Sequence, residues 1–326
     1  MSHGPLFEQN YRPQFSGHET FPLKYGWLKK AVDALLASNL TSNNRSVFLD
    51  DDAIGRFGVG KNMVSAIRFW SEAVGVISSA DEHGQITVTP LGYQLFASKG
   101  WDPFMESPLS AWIMHWNLAG HPNRTTWFWA FSHLPVLSFD RDYLMSSLLA
   151  AAKEAGWQKI SEPTVKRDID CFIRSYCPKL RSAKSSHEGD LESPLIELGL
   201  IRPTGKKDGF RMVRGAKPTL SPGVFLYALL DFWNRYSSGS AARRNTLSFE
   251  AIAYEPGSPG RVFLLDEDDL IDRLSELEDV TNGALQWSET AGLKQVIRRR
   301  DVDEENIFAF IGRDYEPETS DIVRSA

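Results

Sequence analysis

Two short helical stretches separated by glycines restrict the fold most, and they lie in VFLDDDAIGRFGVGKNMVSAIRFW. Asp50 to Asp52 supply an N-cap and early acidic side chains for a first helix that runs to about Phe57. Gly58 and Gly60 favour a turn, because glycine accepts the positive φ values that end a helix. A second helix is predicted to begin near Lys61. Helix, glycine turn and helix are typical of a helix-turn-helix.

The second helix has two chemically different faces. Its apolar face follows spacings of 4, 3 and 4 and should pack on the core: Met63, Ile67, Trp70, Val74. Its opposite face is polar and basic: Lys61, Asn62, Ser65, Arg68. In a helix-turn-helix, such a face enters the major groove of DNA and contacts base edges or phosphates.

The sequence after this helix predicts a β-hairpin. Val76–Ser79 and Gln85–Val88 alternate as two short strands, and Asp81–Gly84 forms the turn between them. His83 at the tip would approach the DNA backbone. Thr89-Pro90 is a cap followed by a proline and opens the helix LGYQLFA. The whole segment therefore predicts a winged helix-turn-helix unit.

The same glycines also resemble a phosphate-binding loop. GRFGVGKN matches G-x-x-x-x-G-K-[ST] except at its last position, where Asn62 offers no hydroxyl to magnesium. Three acidic residues precede the motif where a buried strand is required. Nucleotide hydrolysis is therefore disfavoured.

Tryptophans are concentrated in the next segment: Trp101, Trp112, Trp116, Trp127, Trp129. They offer either a platform for stacking bases or a buried core. Because aromatic side chains dominate protein cores, we expect the core. The histidines of this segment lack ligand spacing, so no metal is assigned.

A second unit is predicted after Asp140. DRDYLMSSLLAAAKEAG and SEPTVKRDIDCFIRSY form two helices, and the latter repeats the 4, 3, 4 spacing with an apolar face: Val165, Ile169, Phe172, Tyr176. Thr164, Arg167 and Arg174 would face outward with Lys166 nearby, and the expected DNA contacts are Thr164, Lys166 and Arg167. Asp168 and Asp170 dilute this charge, so the face could equally be a solvated one. SPLIELGLI is predicted helical, and GFRMVRG with KPTLS a hairpin. TLSP before GVFLYALLDFW echoes TVTP before LGYQLFA and suggests a second winged unit.

The C-terminal part is acidic. SFEAIAYE and DEDDLIDRLSEL are predicted helices, RVFLL a strand, and GLKQVIRRRDV a helix ending in three arginines. The predicted fold is mainly α with short β-hairpins, as tandem winged helix-turn-helix units joined by a Trp-rich helical segment. The predicted domains are 1–100 (winged helix-turn-helix), 101–139 (Trp-rich connector), 140–238 (second winged-helix-like unit) and 239–326 (acidic α/β-hairpin unit).

Charge and cysteine content bound the partners. The net charge is -6, yet residues 159–217 carry 13 Lys and Arg against 8 Asp and Glu, whereas residues 261–326 carry 8 against 17. Phosphate contact needs a local basic surface, so the middle suits DNA and the end does not. Cys171 and Cys177 are expected to be reduced thiols. Without an apolar span or a secretory signal, we expect a soluble cytoplasmic protein and no membrane partner.

Three stretches carry a resemblance to a known family: FSGHETFPLKYGWLKKA, FGVGKNMVSAIRFW and TPLGYQLF. They resemble a bacterial domain-of-unknown-function family whose members are commonly encoded beside DNA phosphorothioation genes. The resemblance implies a role in a DNA modification or anti-phage defence locus. It brings no catalytic residues to this chain. Gly17-His18-Glu19 belongs to the first stretch, and we interpret it as a cap or a buried hydrogen-bonding group.

Two functional hypotheses follow. The first is an accessory or regulatory protein that binds double-stranded DNA, plain or phosphorothioate-modified. The second is an adaptor that scaffolds the other proteins of the modification locus without reading bases. No nucleophile with a base, paired carboxylates or metal cluster is recognisable, so we expect no enzymatic activity and no cofactor.

Overall fold

The computed structural model describes residues 3–38, 45–49, 52–178, 192–205, 208–238, 245–290 and 292–316. These residues are mainly helical, with small antiparallel sheets. The α-helices are α1 (Trp27–Ser38), α2 (Ala53–Phe57), α3 (Lys61–Ala73), α4 (Pro90–Phe96), α5 (Pro108–Ala119), α6 (Thr125–Ser132), α7 (Arg141–Glu154), α8 (Glu162–Tyr176), α9 (Pro222–Ser237), α10 (Phe249–Tyr254), α11 (Pro259–Val262), α12 (Glu267–Ser275), α13 (Leu277–Val280) and α14 (Glu304–Tyr315). Short 3₁₀ helices span Pro5–Phe7, Arg45–Phe48 and Pro194–Leu198.

The strands form two sheets with central strands β3 and β6. They are β1 (Ser138–Asp140), β2 (Ile201–Pro203), β3 (Gly209–Met212), β4 (Thr246–Ser248), β5 (Leu285–Thr290) and β6 (Leu293–Arg298). The strand orders are β1-β3-β2 and β4-β6-β5, with all pairs antiparallel.

The predicted helix pair and its turn are present. Gly58 ends α2 with a φ of 64°, in the left-handed region that glycine tolerates best. On α3, Ile67, Trp70 and Val74 are buried, and Met63 is partly buried against the core, as the 4, 3, 4 spacing predicts. Asp52 is the N-cap residue of α2 without a side-chain capping bond, while Asp50 and Asp51 lie outside the described residues. The assembly of these parts into a winged unit remains a prediction.

The two strands predicted after α3 are not formed. A single bridge joins Ile77 to Val88, beside a bond from Ser78 N to Thr87 O of 2.8 Å. The second backbone hydrogen bond expected for this pair, from Thr87 N to Ser78 O, is missing. Thr87 N donates to the Ser78 hydroxyl at 2.9 Å instead. A side chain that replaces a backbone acceptor stops the ladder from extending. The Thr89 cap of α4 is confirmed, since its hydroxyl accepts from Gly92 N.

The Trp-rich segment is core, as expected. Every residue of α5 from Leu109 to Ala119 is buried, and Trp112, Trp116 and Trp127 are at most 1% exposed. Indole N–H groups need partners when buried, and Trp112 Nε1 donates to the Thr219 hydroxyl at 3.0 Å. Trp116 Nε1 donates to the carboxylate of Asp231. A base-stacking platform is therefore excluded for these three rings.

The second unit has the predicted helices but a different sheet. Strand β3 pairs with β1 and β2, so the predicted hairpin between GFRMVRG and KPTLS is wrong. Phe139 and Phe210 are opposite each other in the β1–β3 register and pack at 6.0 Å, which favours that pairing. The KPTLS segment is instead a turn, in which the Leu220 amide donates to the Lys217 carbonyl at 2.9 Å. The Lys217 ammonium donates to the carbonyls of Val213, Gly215 and Leu264.

The prediction for SPLIELGLI holds only for its first half. Pro194–Leu198 is a 3₁₀ helix, and Gly199 ends it with a φ of 61°. The chain then enters strand β2 at Ile201. The apolar run continues past the glycine, so hydrophobicity alone does not mark the boundary.

Two predictions in the acidic part are wrong. RVFLL contributes to helix α11 rather than to a strand, because Ser258 caps a helix that Pro259 opens. GLKQVIRRR forms strand β6 rather than a helix, with Val296 buried between Leu247 of β4 and Trp287 of β5. The predicted helices in SFEAIAYE and DEDDLIDRLSEL are confirmed as α10 and α12.

One hydrophobic cluster extends from Leu6 to Ile311 and includes side chains of most helices. Within the described part of the chain, none of the helices is long and apolar enough to cross a bilayer. The division into four domains remains a prediction.

Candidate nucleic-acid interface

The first half of α3 presents polar side chains to solvent. Lys61, Asn62 and Ser65 are exposed, while Val64 and Ile67 of the same helix are buried. The backbone of the first turn is formed, because Gly60 O accepts from the amides of residues 63 and 64. These three side chains are thus available to a partner, and their role in DNA binding stays a prediction.

Arg68 lies on the same side of α3 but is not free. Its Nε donates to the Glu72 carboxylate at 2.8 Å, and the two side chains are only 24% and 18% exposed. The Glu72 carboxylate, one helical turn away, offsets part of the attraction that Arg68 would exert on a phosphate. Lys61 is therefore the stronger cation of this face.

His83 is exposed in the turn after α3. The Asp81 carboxylate holds this turn, since its Oδ1 accepts from His83 N at 2.9 Å and from Gln85 N at 2.7 Å. Asp81 and Glu82 are exposed beside the histidine and oppose an approaching phosphate. Of the predicted contacts around α3, His83 has the least favourable surroundings.

On α8, the predicted residues differ in accessibility. Lys166 and Arg167 are exposed, and Thr164 is half-buried. Asp168 does not dilute their charge, because it is 3% exposed and points into the protein. The spacing contained this signal, since Asp168 follows Val165 by three positions and precedes Phe172 by four, which places it on the apolar face.

Asp168 holds a loop at the start of the chain. The His18 imidazole contacts its Oδ1 at 2.9 Å, and the Thr126 hydroxyl donates to its Oδ2 at 2.5 Å. The other ring nitrogen, Nδ1, accepts from Thr20 N, which makes Nε2 the protonated donor of a neutral His18. The expected buried hydrogen-bonding role of His18 is confirmed.

This loop connects α3 to α8. The carbonyl oxygen of Phe21 accepts from the Trp70 indole at 2.9 Å and from the Cys171 thiol at 3.4 Å. The His18 ring also packs edge-on against Phe69. The two helices predicted from the same spacing are therefore brought together by the segment GHETF. Sequence reasoning missed this connection, because its partners are about 50 and 150 residues away.

Arg141 is a basic side chain that the sequence reasoning missed, and Arg174 was predicted to face outward on α8 but not to contact DNA. Both line a surface cleft with Arg167, Thr20 and Asp170. Arg174 follows Arg167 by seven residues, so helical spacing alone places them on one face. Arg141 joins them through the packing of α7 on α8, for which the sequence offers no signal.

Burial changes the pKa of several titratable groups in the interior. Burial lowers the pKa of His115 to about 4, so it is neutral between the Tyr176 hydroxyl and the Val262 carbonyl. Burial raises the pKa of Cys177 to about 12, and both cysteines are free and buried. No three His, Cys, Asp or Glu side chains gather as a metal site within these ranges. In the GRFGVGKN motif, Gly55 lies inside α2 rather than after a strand.

Comparison with known protein families assigns the chain to a family. The family described as "Protein of unknown function (DUF4007)" matches residues 15–315. The chain belongs to this family. A search of the curated proteins gives no significant match.

Two solved structures resemble this DUF4007 member over nearly its whole length. They are titled "Magnesium ion-bound SspB crystal structure" and "SspB crystal structure". Sequence identities are 27% and 28%, each TM-score is 0.77, and each match covers 93% of this chain and 88% of SspB. The DUF4007 match includes α3, α8 and the GHETF loop that joins them.

Proposed function

We propose that the chain is a DNA-binding accessory or regulatory protein of a DNA phosphorothioation locus, with α2 and α3 acting as a helix-turn-helix. The observation that carries the proposal is the two-sided chemistry of α3. Its apolar side is fixed in the core by Ile67 and Trp70, while Lys61, Asn62 and Ser65 stay exposed. A helix so anchored can present these side chains without losing stability.

The similarity to SspB supports the same locus. It agrees with the resemblance of three sequence stretches to a family encoded beside phosphorothioation genes. The proposal assigns no reaction to the chain. Magnesium, named in one SspB title, prefers carboxylate and water ligands in octahedral geometry. No step of the proposal depends on the ion.

The test is a binding measurement with a double variant. Lys61→Ala with Asn62→Ala should weaken binding to a fluorescently labelled duplex of about 20 base pairs at least tenfold, since each base or phosphate contact is worth about 1 to 3 kcal/mol. The matched control, Asn123→Ala with Lys153→Ala, removes the same side-chain types from other exposed positions. Plain and phosphorothioate duplexes are compared by fluorescence anisotropy, and circular dichroism checks the fold.

Unchanged affinity in the double variant would remove α3 as the reader. Equal affinity for plain and phosphorothioate duplexes would keep DNA binding and reject recognition of the modification.

The adaptor hypothesis is the second candidate, favoured by the acidic C-terminal part. A groove of about 720 Å³ runs between Trp101 and α14, lined by Phe308 and Tyr315 among others. Salt separates the two functions. DNA affinity should fall steeply as salt rises, because neutralised phosphates release counterions, whereas apolar contact with a protein should not weaken.

A further inference from the structure

A cleft of about 200 Å³ lies between the N-terminal loop, α7 and α8. Its lining, here called the arginine cleft, is three guanidinium groups with one hydroxyl and one carboxylate: Thr20, Arg141, Arg167, Asp170, Arg174. Three arginines around one small cavity are unusual, because like charges repel unless a counter-charge is present.

Protein groups already hold two of the arginines in place. Arg174 donates from Nε to the Asp170 backbone carbonyl at 3.1 Å and from Nη2 to the Thr20 carbonyl. Arg141 pairs with the Asp170 carboxylate at 3.0 Å, contacts Asp208, and lies 5.0 Å from the Phe210 ring centroid. Such fixed guanidinium groups lose little side-chain entropy when an anion binds.

The third arginine has its fork free. Arg167 is exposed, and only its Nε is bonded, to the Pro163 carbonyl at 3.3 Å. Its two terminal nitrogens have no partner among the described residues. Counting Asp170 and Asp208, the cleft still carries an excess of positive charge.

The backbone at the rim of the cleft is strained. Glu19 and Thr20 have φ values of 48° and 64°, and the left-handed region is costly for a β-branched residue such as threonine. The buried contact of His18 with Asp168 holds this conformation. The Thr20 carbonyl thereby stays directed at Arg174.

We propose that the arginine cleft binds a single phosphoryl oxyanion, with Arg167 as the ligating fork, Arg174 as a donor through its remaining N–H groups and Arg141 as a supporting charge. Guanidinium groups match tetrahedral oxyanions through paired N–H donors. The oxyanion is either a backbone phosphate of DNA, in which case the inference rests on the proposed function, or a free phosphate. In the first case, α8 fixes the strand while α3 contacts the bases.

Asp170 makes the proposal testable by a gain of affinity. Its carboxylate competes with the anion for Arg141, so Asp170→Asn should strengthen binding about threefold by removing a negative charge from the cavity. Misfolding cannot produce such a gain. Asp272→Asn makes the same charge change at an exposed position on α12 and should have no effect.

The loss-of-affinity arm uses Arg167→Gln and, separately, Arg174→Gln. Arg167→Gln breaks a single backbone contact and leaves the fold intact. Each should weaken binding of inorganic phosphate, measured by calorimetry in chloride buffer, about tenfold, as expected for lost charge-assisted bonds. Each should also lower the salt dependence of DNA binding by about one phosphate, a slope change of roughly 0.9. Arg167→Lys should restore only part, because it keeps the charge without the fork. Arg299→Gln, also exposed, is the control.

The outcomes separate the two sources. Loss of both phosphate and DNA affinity identifies a DNA phosphate as the ligand. Loss of phosphate affinity with unchanged DNA affinity identifies a free oxyanion and keeps the cleft. Wild-type protein that takes up no phosphate, together with cleft variants that bind DNA normally, overturns the inference. If Lys61→Ala with Asn62→Ala still weakens DNA binding then, the proposed function survives without the cleft.

Discussion

Helices α3 and α8 bury side chains at the same spacing, but they treat their outward charges differently. Aligning Met63 with Val165 places Arg68 and Glu72 of α3 opposite Asp170 and Arg174 of α8. In α3 the two form an ion pair. In α8 the carboxylate is drawn away by Arg141, so Arg174 bonds only to backbone carbonyls. Arg174, an arginine without a carboxylate partner in the part of the chain that the structure describes, is suited to contact one phosphate. The exposed Lys61 and Asn62 of α3 are suited to contacts within a DNA groove.

The helices also differ in their interiors. The position of Asp168 in α8 corresponds to Ala66 in α3, and both are buried. Asp168 carries hydrogen bonds to His18 and Thr126, while Ala66 carries none through its side chain. Equal apolar spacing therefore conceals one helix held by packing and one held by packing and a carboxylate.

The largest expected effect tests that contrast. Asp168→Ala should lower the free energy of unfolding by about 3 kcal/mol or more, because the buried His18 and Thr126 lose their partner. A comparison change at a buried polar residue of α3, Ser71→Ala, should cost less than about 0.5 kcal/mol, since the Ser71 hydroxyl is buried without a hydrogen-bond partner in the described residues. Urea unfolding monitored by tryptophan fluorescence gives both values. Equal losses would show that Asp168 does not distinguish the helices.

Acid should weaken the end of α8. Burial lowers the pKa of His115 from 6.5 to about 4, and its Nδ1 accepts from Tyr176, which aligns with Val74 of α3. Between pH 6.5 and pH 4, the His115 imidazole is protonated in the unfolded chain but not in the folded chain. Stability should therefore fall by about 3 kcal/mol as the pH drops from 6.5 to 4.

Urea unfolding between pH 7 and 4 measures this loss. His133 adds to it in the same direction, because burial lowers its pKa to about 4 as well. A His115→Gln variant should be less stable at pH 7 but show a flatter dependence on pH. A slope as steep as that of the wild type would place the acid sensitivity elsewhere.

Helices α4 and α9 should lose similar stability when their N-cap side chains are removed. Thr89 accepts from Gly92 N at 3.0 Å, and Ser221 accepts from Val224 N at 3.3 Å, so each caps its helix three residues on. Thr89→Ala and Ser221→Ala should each cost about 1 kcal/mol in thermal unfolding. A much larger loss at Thr89 would reflect its second bond, to the Gly75 carbonyl.

The smallest effect concerns the ion pair on α3. Glu72→Gln should free Arg68 and raise DNA affinity about threefold, a modest gain because the pair is partly exposed to solvent. Glu276→Gln changes the same charge at an exposed position and serves as the control in the anisotropy measurement. No gain would mean that Arg68 faces away from the DNA.

The sequence predicted the local parts better than their partners. The α2–α3 turn, the Thr89 cap and the buried tryptophans depend on neighbouring residues, and all were predictable. Strand β3 was predicted as a strand, but its pairing with β1, about 70 residues earlier, depends on contacts that periodicity does not contain. Strand β6 was mistaken for a helix, because the burial of Val296 depends on its pairing with β4 and β5. The local sequence pattern does not contain those contacts.

The candidate site divides in the same way. The exposure of Lys61, Asn62 and Ser65 follows from the register of α3. The half-neutralised state of Arg68 follows from Glu72 four residues on, and it was visible in the sequence. Arg141 reaches the cleft only through tertiary packing, and no local pattern indicates it.

The carbonyl oxygen of Phe21 accepts hydrogen bonds from two donors, the Trp70 indole of α3 and the Cys171 thiol of α8. Any tilt of α3 relative to α8 must stretch one of those bonds or carry this peptide along. This shared acceptor therefore adds a fixed point to the aromatic packing between the helices, in which the Trp127 ring contacts Trp70 of α3 and Phe172 of α8. A variant designed to change the separation of α3 and α8 would have to alter this peptide first.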